Sequence, residues 1–382
     1  MAKGNDNRND VVCSQSLTEE TTNTQRRRLV AGTLKYTPLE LPTLPVDLLP
    51  EILCRLPVKL LIQLRYVCKL FNSLISDPKF VKKHLRMATK RHHLMLTNVD
   101  EFVTYDSPIP SPFSTSTIVT QTQLYLPTST LTNGHLWMGL LCSCDGVFCG
   151  QLNDDSYFLW NPSVRKFKLL PPLESHNFIR TLSFGYDHFV DNYKVIIVSD
   201  ENEVRVNTLG TDYWTRIQDI PYSDPICFGD GVFVSGTLNW FAYEVIISLH
   251  LENESYQKLC PPDFGDENNP WDFGVLRDCL CVFATSDEYL DVWIMKEYGN
   301  QESWTKLYTI PNLQDQNLKA SRALYISEDD QLLVECCEIE GETGYIKLVV
   351  YDSKTGTLNI PEFQNKYDLI YSNVYIESLI SP

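Results

Sequence analysis

No uncharged apolar run in the chain approaches the ~18 residues that a membrane-spanning helix needs. The polar start Met1-Ala2-Lys3-Gly4-Asn5-Asp6 is no secretory signal. Cys-x-x-Cys is absent, and none of the seven His stands at ligand spacing from the 12 Cys. A zinc site is therefore not expected, and the thiols read as reduced core residues. Also missing are a Gly-x-Ser-x-Gly elbow, a phosphate-cradling loop ending in Lys-Ser or Lys-Thr, and His-Glu-x-x-His. Asp263-Phe264-Gly265 and Asp272-Phe273-Gly274 spell a kinase tripeptide twice, without the Gly-rich loop or His-Arg-Asp that give it meaning. These absences point to a soluble intracellular protein with no metal, no cofactor and no catalytic centre of its own.

What is present is ample apolar material, 43% of 382 residues with 12% aromatic, enough for two or three cores. A net charge of −17 argues against a nucleic-acid binder held by phosphate contacts. The charge is divided unevenly. Residues 44–95 carry ten basic and three acidic side chains, net +7, and the 287 residues after them are net −25. A short basic module preceding a large acidic one suggests two surfaces for two partners.

Residues 1–40 are polar and Thr/Asn-rich, with one Arg26-Arg27-Arg28 run, and read as a disordered tail. Residues 41–90 read as short helices. Leu48, Leu49, Ile52, Leu53 and Leu56 fall on one helical stripe, and Leu60, Leu61, Leu64, Val67, Cys68, Phe71, Leu74 and Ile75 continue at the same spacing. Pro45, Pro57 and Pro78 suit first-turn positions, with Asp77 as an N-cap. So many apolar stripes in about 45 residues imply that part of this surface is buried elsewhere, on a partner or on the chain's own second module.

From about residue 92 the period changes to two, as in Val204/Val206, Ile247/Leu249/Leu251, Leu290/Val292/Ile294 and Ile346/Leu348/Val350. Cys142/Cys144 and Cys279/Cys281 likewise share a strand face. Phrases ending in an apolar residue and proline recur at Leu126-Pro127, Leu170-Pro171, Ile220-Pro221, Cys260-Pro261, Ile310-Pro311 and Ile360-Pro361, at intervals of 44, 50, 40, 50 and 50. Trp214-Thr215-Arg216-Ile217 and Trp304-Thr305-Lys306-Leu307 reach their Ile-Pro at the same offset. A 40–50-residue β repeat suits the blade of a propeller, and six endings suggest about six blades. The strand near Tyr371–Leu379 has no ending of its own and can close the ring on the first blade. A seventh, irregular blade and a β-sandwich with long insertions remain alternatives. The Gly-Gly pair of kelch blades is absent. The fold expected is thus α+β multidomain: a small all-α module, then an all-β propeller-like domain over 92–382.

Two segments read as recognition elements. Pro261–Gly274 is acidic and aromatic with no strand pattern; its Trp271, Asp272 and Phe264 are candidate target-binding residues, although Trp271 equally suits a plug between two blades. Ser107–Thr132, rich in Ser, Thr and Pro, reads as a flexible loop. The pairs Asp154/Asp155 and Asp329/Asp330 suit hairpin turns.

The run Leu44-Pro45-Val46-Asp47-Leu48-Leu49-Pro50-Glu51-Ile52-Leu53-Cys54-Arg55-Leu56-Pro57-Val58-Lys59 resembles the opening of a plant F-box. Arg65-Tyr66-Val67-Cys68-Lys69 followed by Leu74-Ile75-Ser76-Asp77-Pro78-Lys79-Phe80 resembles its second half, departing at Phe71, where Trp is usual. The acidic region, through Trp160-Asn161-Pro162 and Tyr375-Ile376-Glu377-Ser378-Leu379, resembles the F-box-associated interaction domain of a large plant family that includes the S-locus F-box proteins.

The resemblance implies a non-catalytic adaptor of an SCF-type ubiquitin ligase in the cytoplasm or nucleus. Its F-box would bind a Skp-family linker and through it a cullin, while the second domain holds a protein target. By this likeness Leu44, Pro45, Leu48, Ile52, Leu53, Leu56, Pro57, Leu64, Val67, Cys68 and Leu74 contact or shape the linker interface. The basic module would steer toward an acidic linker, and the acidic domain toward a basic target. An F-box protein acting as a scaffold without a cullin is the alternative. A third reading, a metabolite-binding or enzymatic propeller with its helices packed internally, differs in class.

Overall fold

Proline and a polar cap punctuate the helical segment in the structure, a computed structural model. It describes residues 45–87, 91–98, 103–114, 118–125, 138–152, 156–173, 178–223, 226–227, 229–264, 270–313, 317–338, 346–365 and 370–382. The tail expected over 1–40 and the candidate Leu44 lie outside them. After one 3-10 turn (Val46–Leu48) come α1 (Leu49–Leu53), α2 (Val58–Arg65), α3 (Lys69–Ile75) and α4 (Pro78–Arg86). Pro78 occupies the first turn of α4, and the Asp77 carboxylate accepts the Lys79 backbone N–H at 2.9 Å. Pro57 differs from expectation: it precedes α2 in extended conformation, as the cap, where it has no helical N–H to lose. Leu53, Cys54, Val58, Leu61, Ile75 and Phe80 form the module's small core, which Val164 and Leu379 of the β region complete. The helices therefore do pack on the chain's own second module, along one face.

The period-two region begins with β1 (His92–Asn98), β2 (Val103–Pro108) and β3 (Thr122–Leu124), a set lacking a first strand. The second sheet is β4 (Met138–Cys144), β5 (Val147–Leu152), β6 (Ser156–Asn161) and β7 (Lys166–Leu169). The third is β8 (Ile179–Asp187), β9 (Asn192–Ser199), β10 (Val204–Thr208) and β11 (Thr215–Arg216), with β12 (Gly229–Asp230) parallel to β8 at its free edge. The fourth is β13 (Val232–Val234), β14 (Thr237–Ala242), β15 (Val245–His250) and β16 (Ser255–Leu259). The fifth is β17 (Trp271–Leu276), β18 (Cys279–Thr285), β19 (Tyr289–Met295) and β20 (Trp304–Pro311). The sixth is β21 (Leu318–Ile326), β22 (Gln331–Glu338), β23 (Ile346–Asp352) and β24 (Thr357–Asn359). Last, β25 (Ile370–Ile376) pairs antiparallel with β1, from His92↔Ile376 to Asn98↔Ile370, and so supplies the missing first strand.

Among the described residues these make six sheets, whose first strands β4, β8, β13, β17, β21 and β25 are neighbours in that order. Apolar side chains fill every gap between consecutive sheets, from Met95 and Tyr375 against Phe148 and Trp160 round to Leu94 and Leu96 against Leu333 and Val350. The ring is a closed six-bladed propeller, which leaves no place for the sandwich or the seventh blade. Burial on both sheet faces makes strands such as Val147–Leu152 buried at every position.

The proline phrases end or follow each fourth strand; Leu126-Pro127 lies outside the described residues. The two Trp phrases have a mechanical meaning. The indole N–H of Trp214 donates to the Pro171 carbonyl at 2.9 Å, and that of Trp304 to the Cys260 carbonyl at 3.1 Å. Tyr256 donates its hydroxyl hydrogen to the Gln218 carbonyl at 2.6 Å in the same way. The outer strands of the third, fourth and fifth blades are thus latched to the proline phrase of the preceding blade.

Two expectations are corrected here. Within Ser107–Thr132, Ser107 and Pro108 end β2, Thr122–Leu124 form β3, and Val119 bridges to Phe363. The Ser/Thr content misled because hydroxyl residues with β-branched neighbours also suit a strand. Trp271–Gly274 belongs to β17 and not to an irregular loop. Asp329/Asp330 do lie in the β21–β22 turn, and Asp154/Asp155 fall outside the described residues.

Candidate docking surfaces

The helical module is held to the propeller by the chain's last residues. Asn161, fully buried at the end of β6, donates from Nδ2 to the Ile380 carbonyl at 2.8 Å, the Ser378 hydroxyl at 3.0 Å and the Ser378 carbonyl at 3.2 Å. Its Oδ1 accepts the Ser163 backbone N–H at 2.9 Å. Leu379, between these contacts, points into the helical core. On the other side Arg91 donates to the Leu56 carbonyl at 2.9 Å and the Cys54 carbonyl at 3.0 Å. Lys82 of α4 pairs with Asp191 of the β8–β9 turn. His84 is buried beside Arg91; burial first, then the guanidinium charge, lower its pKa against the Leu56 carbonyl, and the ring is held neutral.

With one face so occupied, other apolar side chains of the module stay exposed. Leu48 is 47%, Ile52 45% and Val67 67% accessible, and Pro45, Pro57 and Cys68 are exposed. Leu53, only 4% accessible, is core, while Leu56, Leu64 and Leu74 are half-buried against it. Of the expected linker residues, then, six are free to touch a partner and four can only shape the surface. Leu60, Tyr66 and Leu70 extend the exposed row and were missed as site residues. The adjoining Tyr66-Val67 pair was the available signal.

The propeller's other end is a second surface. The turns β4–β5, β6–β7 and β8–β9 lie at the helical end, so the starts of the first strands and the β9–β10, β14–β15 and β18–β19 turns lie at the far end. There Trp271 is half-buried. Its ring meets Phe241 edge-on at 4.6 Å, with Phe264 at 6.3 Å and Trp293 beyond Phe264. The arrangement fills the gap between the fourth and fifth blades, so Trp271 and Phe264 serve as a plug. Asp272 is exposed, its Oδ1 accepting the Phe273 backbone N–H at 2.8 Å. The more exposed aromatics at this end are ones sequence reasoning missed: Phe178, Tyr243 and Tyr371. They share it with Asp200, Glu201, Glu244 and Glu288, all exposed. No periodic pattern marks single residues at turns and strand starts, so nothing in the chain singled them out.

Near the axis Arg322 pairs with buried Glu335 at 2.9 Å, and the Ser372 hydroxyl also donates to that carboxylate. Burial pushes the Glu335 carboxyl up while the Arg322 charge resists. Asp230, on β12, keeps an exposed surface, yet desolvation by the chain around it pushes its carboxyl up to about 6, against a backbone hydrogen bond from Leu141 and the field of Arg322. Among the described residues no group of His, Cys, Asp and Glu is placed to hold a metal ion, and no helix is long and apolar enough to cross a membrane.

An all-α docking module fused to a six-bladed propeller defines a class of two-surface binding proteins. The F-box domain matches residues 41–83, and the F-box associated beta propeller domain matches residues 87–382. The chain belongs to the plant F-box proteins that carry this propeller. It is similar to F-box protein CPR1 of Arabidopsis thaliana, 28% identical with 87% of this chain and 89% of that one covered. The F-box/kelch-repeat protein At3g23880 of Arabidopsis thaliana is also 28% identical, over 89% of this chain and 96% of its own.

Proposed function

We propose that the protein is the target-recognition subunit of an SCF-type ubiquitin ligase. Its F-box binds a Skp-family linker that bridges to a cullin, and its propeller presents a protein target. The observation that carries this reading is the uncovered apolar row of Leu48, Ile52, Leu60, Val67 and Leu70, outside the core that packs on the propeller. Apolar area of this kind on a small module is stabilised by a partner. Such an adaptor needs no catalytic residue, because it acts by raising the local concentration of target near a charged ubiquitin donor.

The far end of the propeller is the target face. Exposed aromatics among acidic turns suit a basic protein surface, by steering and by cation–π contact with Lys or Arg. A work site in the cytoplasm or nucleus follows from the reading. The test is binding of purified full chain to a purified Skp-family linker. Leu48→Asp with Ile52→Asp abolishes it under this reading, and undiminished binding by that variant overturns it.

A further inference from the structure

Where the F-box meets the second blade, a surface pocket of about 270 Å³ is lined by Ile62, Arg65, Tyr66, Asn72, Val164 and Lys166. Its two cations have only neutral partners: Arg65 Nε donates to Asn72 Oδ1 at 3.2 Å and Lys166 Nζ to the Ser381 hydroxyl at 2.9 Å. Arg165, next in the β6–β7 turn, is exposed, and among the described residues none of the three forms an ion pair. Several cations elsewhere are paired. Lys82, Lys194, Arg205, Arg277 and Lys306 each face a carboxylate. At this pocket, in a chain of net −17, Arg65 and Lys166 line one cavity with Arg165 beside them and, among the described residues, no carboxylate paired to any of the three.

The pocket is continuous with the apolar row of the F-box. Tyr66, 87% accessible, is both its lip and the neighbour of Val67. A partner that covers Val67 and Tyr66 passes over Arg65 and Lys166 and strips water from them, which is favourable only if it brings negative charge.

We infer that the pocket takes an acidic segment of the linker, so that the linker grips the propeller through Lys166 and Arg165 as well as the F-box. The inference rests on the adaptor reading. It makes the propeller part of the linker interface and fixes the direction in which the target face points.

The test measures association of the full chain with a purified Skp-family linker across a salt series, for wild type, Arg165→Glu, Lys166→Glu and the double variant. The double variant is expected to bind about tenfold more weakly at low salt, mainly through slower association, with a flatter salt dependence. Thermal melting reports whether the fold is intact. Should Lys166→Glu melt early, Lys166→Gln, which removes only the charge, is judged by the same loss of salt dependence. Affinity and salt slope equal to wild type in melting-competent variants overturn the inference. Wild type that fails to bind the linker at all overturns instead the adaptor reading beneath it.

Discussion

Asn161 and Ile380, 219 residues apart, are joined by a 2.8 Å hydrogen bond from side-chain amide to backbone carbonyl. The contact sits between the propeller's second blade and the tail that feeds Leu379 into the F-box core, so one buried amide couples ring closure to F-box docking. Asn161→Ala leaves the Ser378 and Ile380 carbonyls and the Ser163 N–H without this partner. The expected cost is about 3 kcal/mol, read as a melting point lower by several degrees. Protease cleavage between the two modules is expected to rise with it.

Gly146, in the β4–β5 turn, has φ +78°, and a Cβ there would lie 2.1 Å from the Ile376 carbonyl oxygen. Gly146→Ala must displace the closing strand's backbone as well as hold a left-handed conformation, at about 3 kcal/mol or more. Gly356 shares the conformation, φ +69°, with open space around it. Gly356→Ala should cost only about 1 kcal/mol. Equal melting points for the two variants would contradict the closure geometry.

Closure also titrates. His93, paired with Tyr375 across β1 and β25, has Nδ1 2.9 Å from Asp106, whose carboxylate also accepts the Tyr375 hydroxyl at 2.9 Å. Burial opposes the imidazolium, but the Asp106 hydrogen bond and charge, with the Glu377 charge, outweigh it, and the His93 pKa is raised above 6.5. A raised pKa means stability fully present below pH 6.5 and lost as pH rises through the folded value. His93→Gln should therefore lower the melting point at pH 6 more than at pH 9. His84 acts with the opposite sign: its lowered pKa gives stability present above pH 6.5 and lost as pH falls below it.

The two kinds of F-box leucine separate binding from folding. Changing Leu53 and Leu56 together to charged residues looks from the helical stripe like a clean interface test, yet Leu53 is 4% accessible and part of the core. Leu53→Asp should cost about 4 kcal/mol or more by burying a charge. Leu48→Asp and Ile52→Asp should leave the stability within about 1 kcal/mol of wild type while removing linker binding.

That distinction marks how much was legible. Helical spacing identified the apolar positions of residues 44–90 but not which side the propeller would cover, because Leu379 and Val164 arrive from distant sequence. The proline phrases and the repeated Trp were readable because the blades end in similar phrases and two of them latch through the same indole hydrogen bond. Trp271 was not, since the Pro, Gly and Asn before it hide a strand whose burial comes from the neighbouring blade. The Arg322–Glu335 pair was invisible because polar residues within inner strands keep no spacing.

At the target face, Tyr243 and Trp271 should behave differently. Tyr243, 65% accessible in the β14–β15 turn, can be truncated with a stability change within about 0.5 kcal/mol and should weaken target capture about tenfold. Trp271→Ala opens the inter-blade packing and should cost about 2–3 kcal/mol whatever it does to the target.

On the adaptor reading, one chain links a target to a ubiquitin ligase through two separate faces. Affinity capture of the full chain from plant cells, with and without a proteasome inhibitor, tests it most directly when wild type and the Leu48→Asp, Ile52→Asp variant are compared by mass spectrometry. Wild type should recover a Skp-family linker and a cullin in both conditions, with a further protein enriched under inhibition. The variant should lose linker and cullin and keep that further protein. Recovery of neither linker nor cullin by wild type would contradict the account, and recovery of the linker alone would support a scaffold in its place.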